Sequence, residues 1–163
     1  MSVTVAKTAG FCFGVRRAVA LAEEQAHEHG SIYAYGEIIH NMHEIERLEK
    51  MGVHTAHTIE EIPDGERVLI RAHGVPRAVY DAFRAKNCEI FDATCPFVHK
   101  IHRIVDEESR AGRLIVILGK EGHPEVEGIR GWCGESVVID GEQAAQTFAD
   151  AFNPAGRPVS MVA

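Results

Sequence analysis

The stretch from Ile90 to Lys100, IFDATCPFVHK, decides how the rest of the chain is read. Ile90 and Phe91 end a buried strand, a short turn follows, then comes Cys95, and Pro96 opens a helix. Proline suits the first helical position because its missing N–H would be unpaired there anyway. Cys95 therefore stands just ahead of a helix N-terminus, where unpaired N–H groups and the macrodipole favour negative charge. The thiolate is the form of cysteine that binds metals and attacks electrophiles. A small buried cysteine filling a strand–helix corner is the plainer reading. What favours chemistry is that the same layout recurs along the chain.

Upstream, Val3 to Ala6 is a short β-branched run that predicts a strand, followed by the loop GFCFGV (Gly10 to Val15) with Cys12 between glycines. Apolar residues at helical spacing predict a helix from Val15 to His29, stopped at Gly30. Ser31 to Tyr35 predicts a strand, and GEIIHN (Gly36 to Asn41) leads into a helix carrying Ile45 and Leu48. Val53 to Ala56 and Arg67 to Ala72 predict strands, and AHGVP (Ala72 to Pro76) opens a helix to about Lys86. Downstream of Cys95 a helix runs to about Arg110. Leu114 to Leu118 predicts a strand buried on both faces. GKEGHPEVEG (Gly119 to Gly128) places Pro124 at another helix start. Val137–Ile139, Gly141–Phe152 and Val159–Val162 predict strand, helix and strand. Strands alternating with helices through short connections give an α/β fold with mostly parallel sheets. The pattern divides into an N-terminal strand and loop (1–13) and two similar α/β units, 14–94 and 95–163.

The 163 residues suffice for one full core or a domain and part of a second. A formal charge of −7 argues against a general nucleic-acid binder, which needs clustered Lys and Arg, yet leaves room for a small anion at a local positive site. There is no apolar run of membrane-spanning length, and MSVTVAKTAG lacks the apolar core of a signal peptide. The expectation is a cytoplasmic protein without disulfides. The four cysteines, Cys12, Cys88, Cys95 and Cys133, form no C-x-x-C pair, so neither a zinc ribbon nor a thioredoxin-type motif is supported.

Five side chains able to bind ligands or transfer protons fall at strand-to-helix turns: Cys12, His40, His73, Cys95 and His123. In open parallel sheets, ligands bind outside the carboxyl ends of the strands, near such turns. His27, His29, His54, His57, His99 and His102 read as surface or loop histidines, and His43, close to His40, is not assigned. Cys88 and Cys133 read as structural. Glu125 is favoured at a helix start by the dipole alone, but a carboxyl beside His123 can also deliver a proton. Two thiols suggest a soft-metal or iron–sulfur site, and three histidines with helix N-termini suggest an anion such as phosphate. Two cysteines do not complete an iron–sulfur cube.

GFCFGV at Cys12, His40-Asn41, AHGV at His73, DATCP at Cys95 and HPEVEG at His123 to Gly128 together resemble 4-hydroxy-3-methylbut-2-enyl diphosphate reductases of the non-mevalonate isoprenoid pathway. The resemblance implies three α/β units around a 4Fe-4S cluster held by three cysteines, with one iron open to the substrate hydroxyl. It implies Cys12 and Cys95 as cluster ligands, and His40, His73 and His123 as diphosphate-binding residues, with His123 also near the reacting end. Glu125 becomes the proton source, and ferredoxin or flavodoxin the electron donor. No nucleic acid or membrane partner is implied. The third cysteine and third unit are absent from these residues. The N-terminal strand is then expected to pack with that third unit, and the 163 residues alone are expected to be inactive. Two rival readings are a non-redox diphosphate-binding module and a zinc enzyme using Cys12, Cys95 and a histidine.

Overall fold

Continuous apolar runs, rather than alternation, mark strands covered on both faces. Val68, Leu69 and Ile70 are completely buried, and so are Ile115, Val116 and Ile117. Each run is the middle of a sheet in the computed structural model, which describes residues 2–152 and 157–163. Met1 and residues 153–156, which fall within the expected segments 1–13 and 95–163, lie outside the described residues.

The first sheet holds β1 (Ile32–Tyr35), β2 (Val53–Ala56), β3 (Arg67–Ile70) and β4 (Glu89–Asp92) in the order β2-β1-β3-β4. The second holds β5 (Leu114–Leu118), β6 (Ser136–Ile139) and β7 (Val159–Val162) in the order β6-β5-β7. Every pairing is parallel. The helices are α1 (Phe13–His29), α2 (Met42–Glu49), α3 (Arg77–Ala85), α4 (Pro96–Arg110), α5 (Pro124–Arg130) and α6 (Glu142–Ala151). The α/β class and parallel sheets agree with the sequence reading. Among the described residues no helix is long and apolar enough to cross a membrane.

Small residues let α1 lie close on the first sheet: Ala18, Ala22 and Ala26 fall on one face and are buried against Ile32, Ala34 and Leu69. In both sheets the chain leaves a central strand toward opposite sides. β1 has β2 on one side and β3 on the other, and β5 has β6 and β7. Such reversals open a crevice at the carboxyl ends of the strands.

Where the two sheets meet, α5 closes on the start of α3. A Cβ added to Gly131 would lie 2.2 Å from the Pro76 Cβ, so only glycine permits this approach. The Trp132 indole N–H donates to the Val75 carbonyl at 2.9 Å. Trp132 also packs against the apolar clusters of both units.

Two expectations fail. Val3 to Ala6 forms no strand; Val3 and Val5 are 82% and 74% exposed. No neighbouring strand among the described residues offers it a ladder, and β-branched residues alone do not hold an extended segment. His102 is not a surface histidine but is 1% exposed. It lies on the inner face of α4, and its ring stacks on Trp132 at a centroid distance of 5.3 Å.

Candidate active site

Each of the five expected side chains stands at the carboxyl end of a strand or the start of a helix. Cys12 is the N-cap of α1 and Cys95 the N-cap of α4, with Pro96 at the first helical position. The two cysteines line one cavity of about 310 Å³, together with Gly14, His73, Phe97 and Glu125. Both are free thiols, Cys12 exposed and Cys95 half-buried. Gly14 is needed at this point: a Cβ there would meet the Cys95 Sγ at 2.7 Å.

The three histidines come together. His40 follows β1, His73 follows β3, and His123 caps α5 beyond β5, so the trio draws on both sheets. Ring centroids lie 4.7 Å apart for His40 and His73, 6.0 Å for His73 and His123, and 6.3 Å for His40 and His123. His40 and His73 also line a cavity of about 250 Å³ with Phe11, Ile39 and Asn41. His123 and Glu125 line one of about 260 Å³ with Lys120. His73 and Glu125 also face the cysteine cavity, so these three spaces adjoin. A larger cavity of about 530 Å³ lies between β6 and α6 and contains none of the five residues.

Local contacts set the chemistry of each ring. The Glu125 backbone N–H donates to His123 Nδ1 at 3.2 Å. A neutral His123 ring then carries its proton on Nε2, as a free donor. His40 Nδ1 lies 3.4 Å from Glu37 Oε2. Burial, with nearby His40, Arg71 and His123, pushes the His73 pKa down to about 4, and Glu37 only partly opposes this. His73 Nδ1 is buried without a hydrogen-bond partner. Burial also lowers the pKa of the half-buried Arg71, whose Nε is likewise unpartnered, but a guanidinium stays charged in proteins. Its Nη1 rests against Gly36, where a Cβ would lie 2.4 Å away.

Glu37 and Arg71 are the members of this constellation that the sequence reading passed over. Their signal lay one and two positions from residues already singled out, in Gly36-Glu37 and Arg71-Ala72-His73. His43 is exposed on α2 and does not join the trio. Cys88 and Cys133 stay out of the cysteine cavity. The Cys133 thiol donates to the Arg130 carbonyl at 3.5 Å, and burial pushes its pKa up, the reverse of what a metal-binding thiolate needs.

The donor set fits part of an iron–sulfur site. Two free thiols at two helix N-termini face one cavity, and glycine leaves room beside one of them. Among the described residues no three His, Cys, Asp or Glu side chains converge at metal-ligand spacing.

A family model described as LytB protein matches residues 3–162. The chain is 44% identical over 140 residues to a 4-hydroxy-3-methylbut-2-enyl diphosphate reductase of Clostridioides difficile (strain 630), covering 85% of this chain and 50% of that protein. It is 41% identical over 145 residues to the protein of the same name from Aquifex aeolicus (strain VF5), covering 86% and 50%. Among solved structures it resembles the E-1-hydroxy-2-methyl-but-2-enyl-4-diphosphate reductase from Plasmodium falciparum with a TM-score of 0.88 at 28% identity, over 96% of this chain and 49% of that one. A second structure, of (E)-4-hydroxy-3-methyl-but-2-enyl diphosphate reductase, matches with a TM-score of 0.77 at 39% identity, over 91% and 53%. The chain spans about half the length of the curated relatives it matches.

Proposed function

Because the chain belongs to the LytB protein family, we propose that it serves an oxidoreductase of isoprenoid biosynthesis, cytoplasmic in location. The reaction is the reductive dehydroxylation of 4-hydroxy-3-methylbut-2-enyl diphosphate to isopentenyl and dimethylallyl diphosphate. The C–O bond breaks, the hydroxyl leaves as water, and two electrons and two protons enter. The electrons come from ferredoxin or flavodoxin. The observation that carries this reading is the convergence of His40, His73 and His123 beside the cavity shared by Cys12, Cys95 and Glu125.

Cys12 and Cys95 would hold two of the three thiolate positions of a 4Fe-4S cluster. When bound, that cluster supplies the electrons and a Lewis-acidic iron. The third thiolate is not among these residues, so the 163 residues alone are inactive in this reading. A single diphosphate is held by several donors at once. His123 offers its Nε2–H, and Arg71 adds a fixed positive charge near His73. A neutral His73 donates through one nitrogen without needing a counter-ion, which suits a half-buried position next to a cation. Glu125 reaches both the cysteine cavity and the His123 cavity, so its carboxyl can pass a proton to the departing hydroxyl.

The test is anaerobic reconstitution of the full-length protein, followed by turnover with a reduced low-potential donor. Glu125→Gln is expected to lower kcat by about 10²–10⁴-fold with little change in KM, the range for loss of a general acid. Turnover within a few-fold of the parent protein would remove Glu125 from its role.

A further inference from the structure

Arg17 lies one turn into α1, three residues after Gly14 and so on the same helix face. Its guanidinium spans to the turn that carries Cys95. Nη1 donates to the Thr94 carbonyl and Nη2 to the Asp92 carbonyl, both at 3.1 Å. Among the hydrogen bonds of the described residues, these two are the ones that join α1 to this turn. The turn is otherwise tied to the first sheet: the Cys95 N–H donates to the Ala72 carbonyl at 2.9 Å. Asp92 Oδ1 accepts from the Thr94 N–H at 2.8 Å and Oδ2 from the Tyr80 hydroxyl at 2.9 Å. Burial keeps the Tyr80 phenol protonated well above its usual range, as a donor.

Cys95 is therefore fixed to its sheet, whereas Cys12, exposed at the tip of α1, has no comparable bond of its own. Its place relative to Cys95 depends on where α1 sits. Gly14 removes the steric obstacle to close approach, and Arg17 supplies the attractive contact on the same face.

We infer that Arg17 is a positioning residue that holds the Cys12 and Cys95 thiols at a fixed separation by clamping α1 to the Asp92–Thr94 carbonyls. This extends the cluster role assigned to the two cysteines, but the thiol separation itself does not depend on that role. A planar guanidinium with parallel donors can bridge two carbonyls, whereas an ammonium cannot reproduce the fork.

The experiment compares Arg17→Met, Arg17→Lys and Val19→Ala in the full-length protein. Val19→Ala destabilises α1 through its buried face without touching the clamp. Metal-free protein is treated with dibromobimane, which becomes fluorescent on bridging two thiols, and the bridged peptides are mapped by mass spectrometry. The parent protein is expected to form the Cys12–Cys95 bridge. Arg17→Met should lose most of it while each thiol still alkylates singly, Arg17→Lys should retain an intermediate yield, and Val19→Ala should bridge like the parent. After anaerobic reconstitution, Arg17→Met should release iron to a chelator about 10–100-fold faster than Val19→Ala, the usual scale for losing a group that orients a metal ligand. Parent-like bridging in Arg17→Met, or an equal loss in Val19→Ala, overturns the inference. If Arg17→Met does not fold, Arg17→Lys decides: full parent-like bridging refutes the fork. If the parent protein binds no iron or sulfide while the bridging pattern holds, the cluster reading fails and the clamp stands.

Discussion

His102 is one of two histidines, with His73, whose burial weakens the protein in acid. The two ring nitrogens of His102 are buried with no hydrogen-bond partner, and burial pushes its pKa down to about 4, with His99 adding to the effect and Asp92 opposing it. An unfolded His102 takes up a proton near its ordinary pKa of 6.5, and the folded one does not. Stability is therefore fully present above that value and is lost as pH falls toward 4. At pH 4.5 this one group costs roughly 2–3 kcal/mol. His102→Phe keeps the stack on Trp132 and removes the titration, so its Tm should fall less between pH 7 and 4.5 than that of the parent chain; an unchanged slope would refute this. His123 combines two jobs that substitutions can separate. His123→Asn can still accept the Glu125 N–H as an N-cap but loses the outward Nε2–H. Its Tm should stay near the parent value while KM for the diphosphate rises; His123→Ala should in addition lose about 1 kcal/mol of stability. Cys95 could be read from sequence because Pro96 announces a helix start, and His73 and His123 because turns flank them. The burial of His102 was not legible: its polar neighbours His99, Lys100 and Arg103 hide the helix face on which it lies.

At the scale of elements, the close approach of helix to helix rests on glycine. The positions of the strands and helices were readable because runs such as Leu114–Leu118 and stops such as Gly30 and Gly112 are local signals. The contacts between elements were not, since they depend on which face each helix turns inward. Val3 to Ala6 failed for a related reason: its β-branched pattern describes a segment suited to a sheet but does not supply the sheet edge. Gly131→Ala tests the helix contact. Its Cβ would meet Pro76, a rigid ring on backbone rather than a flexible tip, at 2.2 Å. A loss of about 1–3 kcal/mol is expected in chemical denaturation, the range for overpacking. Gly14→Ala should behave differently. The obstacle there is the Cys95 Sγ, so the expected result is poorer iron loading of the full-length protein with a smaller change in Tm.

At the scale of the molecule, the single tryptophan sits at the junction of the two units. Trp132 packs with Tyr80 and Phe83 of the first unit and with Val105 and Ile129 of the second. Arg77 of α3 lies over its ring at 4.8 Å. Its fluorescence therefore reports the junction, whereas far-UV circular dichroism reports all helices and strands. Unfolding followed by the two signals should give coincident midpoints, because separating the units opens both cores. A fluorescence transition well below the dichroism transition would show that the units part before they melt. The parallel sheets bear on how this chain is born rather than how it stands. Among the described residues no strand pair is closed by a hairpin: Leu114 of β5 must wait for Val159 of β7, and Tyr33 of β1 for Val68 of β3. Each ladder demands a long loop closure before any bond rewards it, which makes folding slow and leaves apolar strand edges open meanwhile. A newly made β5 thus keeps the edge from Leu114 to Ile117 uncovered until β7 has been made.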